Sequence, residues 1–209
     1  EAREAQIKVV TFNSGSDVAL EAGAYVHVGL DDAAAGRMAG ERFNADGITG
    51  TVVCIVHEAN NVGLDQRCAG AAETYHGEVQ TINIGGMSRE QAMATLGPAL
   101  AAPGLGAILT LNNLTAYQII FARQTFNIDA PHATFGLDLL IVQHLAQGNM
   151  SFAINDQPEL QGYLAVSTME LLHRYPPPAG GAVSTLLIHP IVWSQEDALR
   201  FLSEQTAAQ

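Results

Sequence analysis

Eight short apolar runs punctuate the 209-residue chain, at 7–12, 24–28, 51–56, 79–84, 107–111, 132–135, 150–154 and 183–188. They are near-continuous rather than alternating, the pattern of strands buried on both faces. Longer helical stretches separate them, at 32–44, 62–76, 88–102, 114–126, 137–146, 158–175 and 195–206. Strand followed by helix, repeated, predicts an α/β fold with an open parallel sheet and right-handed crossovers. Local signals agree. Ser88-x-x-Gln91 reads as a capping box, Pro158 suits a first helical turn, and Gly47 and Gly148 follow helices as C-terminal caps. Pro98 is expected to kink or split its helix. Residues 176–181, Pro-Pro-Pro-Ala-Gly-Gly, read as a linker.

Composition removes several classes of function. Nine basic residues against 21 acidic ones give a formal charge of −12. That argues against a nucleic-acid partner and against docking on an anionic membrane. The longest uncharged run, 91–122, is broken by Gly97, Pro98, Pro103, Gly104 and Gly106, so no membrane-inserted segment is expected. The opening Glu1-Ala2-Arg3-Glu4 has no apolar leader behind it; any signal peptide has been removed or was never there. Cys54 and Cys68 are too few for a disulfide scaffold and form no CxxC. Two readings stay open for them: two buried thiols, or one disulfide implying an oxidising compartment.

In an open parallel sheet, ligands lie beyond the carboxyl ends of the strands. Those ends carry Asn13-Ser14-Gly15, His57-Glu58-Ala59-Asn60-Asn61, Gly85-Gly86-Met87, Asn112-Asn113, Gly136-Leu137-Asp138 and Asn155-Asp156-Gln157. Arg67 falls one turn into the helix after the His57 loop. Amides donate and accept, carboxylates accept, and a guanidinium donates a fork, which is the mixture a polyol or sugar needs. The same residue types also cap helices and form turns. The signal is their recurrence at most strand ends.

Catalytic constellations are not evident. There is no G-x-S-x-G elbow, Walker loop or G-x-G-x-x-G. His57-Glu58 does not begin an H-E-x-x-H helix, and the seven histidines form no i, i+4 pair, so neither metal nor other cofactor is expected. The chain reads as non-enzymatic. Two sequons, Asn113-Leu114-Thr115 and Asn149-Met150-Ser151, read as chance occurrences.

The order of motifs resembles the type I periplasmic sugar-binding proteins, the ribose-binding-like substrate-binding components of ABC transporters. Residues 7–13, IKVVTFN, resemble the family's "IPVVT-aromatic-D/N" strand. Residues 28–40 resemble "VGxDxxxAGxxAG". Cys54 to Glu58, then Asn61 and residues 66–70, resemble "HExxN…RCxG". Residues 152–164 resemble "FAIDQQPxxQGYL".

The resemblance implies binding of a sugar or polyol in an interlobe cleft by hinge closure. It places Asn13, Arg67, Asn112 and Asp156 on ligand positions, with Met87 near a position that is aromatic in some members. His57 and Glu58 join them as rim residues. Where the family has an Asp after Phe135, this chain has Gly136, which leaves Asp138 as the substitute acceptor. The family's first lobe also begins with several βα units that have no counterpart ahead of residue 7.

The resemblance therefore implies a partial first lobe at 1–30, a complete second lobe at 31–156, a returning helix and linker at 157–182, and a final strand and C-terminal helix at 183–209 crossing back to the second lobe. The chain is expected to be a fragment or truncated form, periplasmic or extracellular. Its partners would be a sugar or polyol and either ABC transporter membrane subunits or another chain that completes the first lobe. The alternative is a module that kept the fold, lost the pocket and serves as an interaction or structural part, or sensor ectodomain, of a larger assembly. A transcription-regulator effector domain would need a DNA-binding helix pair, which the sequence lacks.

Overall fold

The computed structural model describes residues 1–207 except 3, 6, 20 and 177–183. The expected linker at 176–181 lies almost wholly outside the described residues. The chain divides into two units, Glu1–Asp31 with Asp156–Pro190, and Asp32–Asn155 with Ile191–Gln209.

The larger unit is a six-stranded sheet in the order β4-β3-β5-β6-β7-β9. Its strands are β3 (Thr51–Val56), β4 (Glu78–Asn83), β5 (Leu105–Thr110), β6 (His132–Phe135), β7 (Phe152–Asn155) and β9 (Ile191–Trp193). The first five run parallel, as the strand–helix alternation demands. Central strands are buried on both faces; β4, at an edge, is buried only at Val79 and Ile82, and then only in part. The helices are α2 (Asp32–Ala45), α3 (Val62–Thr74), α4 (Arg89–Leu100), α5 (Asn113–Phe126), α6 (Leu139–Ala146) and α8 (Gln195–Ala207). One core cluster joins Val53, Ile55, Leu96, Leu100, Ile108 and Ile119; a second joins Ala116, Ile141, Leu145 and Ala153 with Ala198 of α8.

The smaller unit is a three-stranded parallel sheet, β1 (Val10–Asn13), β2 (Val26–Leu30) and β8 (Ser184–Ile188), in the order β1-β2-β8. The helix α7 (Pro158–Arg174) packs on β1 and β2, and the short α1 (Ser16–Ala19) follows β1. Its buried centre is small: Val28, Ala165 and Ile188, with Val10, Val26 and Leu164 partly covered.

Two expectations are corrected. The strand at 184–188, assigned to the larger lobe, pairs in parallel with β2 of the smaller unit, Val26 opposite Ser184 through Leu30 opposite Ile188. The last strand of the larger sheet is instead β9, antiparallel to β7. Three residues beside Pro190 are too few to register as an apolar run. Pro98 does not split its helix: α4 runs through it and ends two residues later at Leu100. The capping box at Ser88, Pro158 at the start of α7, and the left-handed Gly47 and Gly148 all match the reading of the sequence.

Cys54 and Cys68 form a disulfide with Cα atoms 5.8 Å apart, which closes the alternative of free thiols. It ties β3 to α3, and both residues are buried. The backbones of α2 and α3 pack closely. A Cβ on Gly36 would lie 2.2 Å from the Arg67 carbonyl oxygen, and one on Gly70 would lie 2.2 Å from that of Ala33.

Candidate functional site

The carboxyl-end rim of the larger sheet brings together five of the seven expected ligand residues. His57 directly follows β3 and is half-buried; its Nδ1 is buried with no hydrogen-bond partner among the described residues. Burial lowers the His57 pKa below the ordinary histidine value. Glu58 opposes that shift and Arg67 adds to it. His57 is therefore uncharged at neutral pH. Glu58 is exposed and accepts a 3.0 Å hydrogen bond from Asn61, whose own Oδ1 caps α3 by accepting from the Leu64 N–H.

Arg67 is buried rather than presented openly. Its Nε–H donates to Asp32 Oδ1 at 2.7 Å, and its guanidinium carbon lies 4.5 Å from the centroid of the Phe135 ring. Phe135 is the last residue of β6, so the guanidinium still sits at the rim. Asp32 escaped the reading of the sequence because it stands inside a helix-packing motif. The only available signal was a second acid, directly after Asp31, at the start of a helix.

Asn112 caps α5, its Oδ1 accepting from the Thr115 N–H at 2.8 Å. Asp138 caps α6 through the Ile141 N–H at 2.9 Å. Its other oxygen accepts from Asn113 Nδ2 at 2.8 Å and from the Tyr117 hydroxyl. Burial alone would raise the Asp138 pKa; the bonds from Tyr117, Ile141 and Asn113 outweigh it and hold the carboxyl below its usual range. Burial and the neighbouring Asp138 push the Tyr117 phenol up. Asp138 is thus ionised and already committed to two helix starts. Of the residues that engage it, Asn113 was noted in the sequence only as part of a polar strand end and a sequon, and Tyr117 was not singled out.

Gly136 has φ +87°, and a Cβ there would meet Asn113 Oδ1 at 2.3 Å. A side chain at 136 is therefore strained by the backbone conformation and would also have to displace the Asn113 amide. The amide oxygen of Asn113 is itself buried and unpartnered among the described residues. Met87 is exposed in the loop after β4.

The other two expected residues belong to the smaller unit. Asn13 ends β1 with φ +72° and is exposed, its Oδ1 accepting from Ser14 Oγ at 3.0 Å. Asp156 is half-buried, and its backbone carbonyl accepts from Gln161 Nε2 at 2.6 Å. No group of three or more residues suited to a metal ion occurs among the described residues.

The fold is an open α/β sheet that carries a polar rim at the carboxyl ends of its parallel strands. The sequence profile of the periplasmic binding protein domain matches residues 1–173, and the chain belongs to that family. No protein of curated function matches the sequence. Solved structures do. A carbohydrate transporter from Acidothermus cellulolyticus 11B in complex with myo-inositol is 26% identical with a TM-score of 0.86, over 97% of this chain and 70% of that one. An ABC transporter periplasmic solute-binding protein from Actinobacillus succinogenes 130z with bound D-allose is 20% identical with a TM-score of 0.78, over 95% and 73%. A XylFII–LytSN complex contributes a chain 19% identical with a TM-score of 0.68, over 94% and 79%. Among the described residues no helix is long and apolar enough to cross a membrane.

Proposed function

We propose that the chain binds an uncharged sugar or polyol as the substrate-binding component of an ABC transporter, in the periplasm or outside the cell. The observation that carries this is the polar rim of the larger unit, where His57, Asn112, Asn113 and Asp138 stand at the ends of adjacent parallel strands and Arg67 of α3 lies over Phe135 at the end of β6. The myo-inositol and D-allose bound by the relatives above support the same ligand class. The test is calorimetric titration with a panel of neutral sugars and polyols that begins with those two. Arg67→Ala is expected to weaken the best ligand by about 1.5–3 kcal/mol, the range for a lost charge-assisted hydrogen bond. Silence across the panel would overturn the reading. Unchanged affinity in the variant would make Arg67 purely structural.

The smaller unit favours a second reading, in which a partner chain supplies a βα segment that extends the sheet beyond β1. Phe12, Val166, Leu171 and Leu187 are all more than half or nearly half exposed. A groove of about 810 Å³ runs between β1 and α7, lined by Val10, Phe12, Ala165, Val166 and Met169 with Lys8 at its side. An uncovered strand edge beside apolar surface is a template for pairing. Sedimentation of the 209-residue chain alone is expected to show self-association or a hydrophobic-dye-binding species. A stable monomer that binds no dye would remove this reading.

A further inference from the structure

Among the described residues, Asp32 and Arg67 are the charged side chains buried in the larger unit, 6% and 7% exposed. Their positions are set by backbone packing. The Asp32 carboxylate lies over Gly63, where a Cβ would come within 2.6 Å of Oδ2; Arg67 is fixed by the contact of its carbonyl with Gly36. The pair therefore has little freedom to open, and its guanidinium is pinned over Phe135 at the end of β6.

A guanidinium without a counter-charge at such a place would draw an anion. Here the carboxylate at 2.7 Å supplies that charge from within the fold. The remaining rim is no more hospitable to anions. Glu58 and Asp138 are carboxylates, and His57 is a neutral ring that feels both the Glu58 and the Arg67 charge. Arg89, at the start of α4, is turned onto the Phe121 ring, 5.7 Å from its centroid.

We propose that Asp32 fixes Arg67 and cancels its charge, so that this rim takes uncharged polyols and turns away anionic carbohydrates such as sugar phosphates. The inference rests on the polyol-binding reading above for its ligand class, but the role of Asp32 is separable from it. A bare carboxylate-to-amide change keeps the shape and an acceptor for the Nε–H while removing the negative charge 2.7 Å from the guanidinium.

The experiment compares wild type, Asp32→Asn and Asp32→Glu in two titrations. In calorimetry with myo-inositol and myo-inositol 1-phosphate, wild type is expected to prefer the neutral compound. Asp32→Asn should narrow that preference tenfold or more, and Asp32→Glu should keep it. In the second titration sodium sulfate alone is added while the Arg67 Nε–H resonance is followed by NMR. It should shift saturably at millimolar sulfate in Asp32→Asn and stay put in wild type and Asp32→Glu. An unchanged ligand ratio in Asp32→Asn overturns the proposal. So does a saturable sulfate response in wild type, which needs no variant to fold. Binding of neither inositol compound by wild type would count against the polyol reading, while the sulfate titration still decides the role of Asp32.

Discussion

Replacing Gly70 by alanine is expected to destabilise the larger unit by about 3 kcal/mol or more, at the upper end of the cost of overpacking. The added Cβ would lie 2.2 Å from the Ala33 carbonyl oxygen and 3.0 Å from the Arg37 nitrogen. Both are backbone atoms of α2, so no rotamer change relieves the clash. Either the helices part or the disulfide-tied α3 shifts against β3, and both routes disturb the seat of Arg67. Gly97, inside α4, is the matched control. A Cβ there meets nothing within 4 Å. Gly97→Ala should be neutral or stabilise by up to about 1 kcal/mol, since alanine loses less backbone entropy in a helix. Urea unfolding of both variants measures the difference. A Gly70→Ala protein as stable as wild type would mean that α2 and α3 are not in the close contact described.

The same glycines mark what the sequence could and could not reveal. Ala35-Gly36 and Ala39-Gly40 were legible as part of a family-like passage, and the strand–helix alternation around them predicted that β3 to β7 run parallel, though not their order in the sheet. Their purpose was not legible. The passage brings α2 against α3, and its acid, Asp32, reaches Arg67 across 35 positions of sequence. Spacing alone does not show a contact of that separation. Strand β8 was found but given to the wrong sheet, because an apolar run says that a strand is buried and not which neighbour it chooses. Asp138 was found and its candidacy as a replacement acceptor was reasonable. What stayed hidden is that Asn113 and Tyr117 engage it from the preceding helix, while Gly136 leaves room for Asn113 rather than for a carboxylate.

Acidification is expected to weaken the larger unit through His132, and His132→Gln should remove that part of the pH dependence. His132 opens β6 with no exposed surface. Its Nε2 is 2.9 Å from Thr110 Oγ1, and its Nδ1 is buried without a partner among the described residues. Burial, reinforced by Arg123 and His144, lowers its pKa to about 3. The unfolded chain binds the same proton near pH 6.5. The native state therefore holds fewer protons than the unfolded state between those two values, and stability falls as pH falls through that window. One pKa unit corresponds to about 1.4 kcal/mol, so by pH 4.5 the loss from this one ring is about 3 kcal/mol. It is fully regained above pH 6.5. His57, also depressed by burial, adds a loss of the same sign in both proteins and cancels in the comparison. Glutamine keeps a polar group near Thr110 but does not titrate. The variant should start about 1 kcal/mol less stable at pH 7 through its poorer hydrogen bond, then fall more slowly with acid until the two unfolding curves cross. Parallel curves from pH 7 to 4.5 would mean that His132 takes up its proton in the native protein without cost, and the ring would then have to reach water by an opening of the β5–β6 layer.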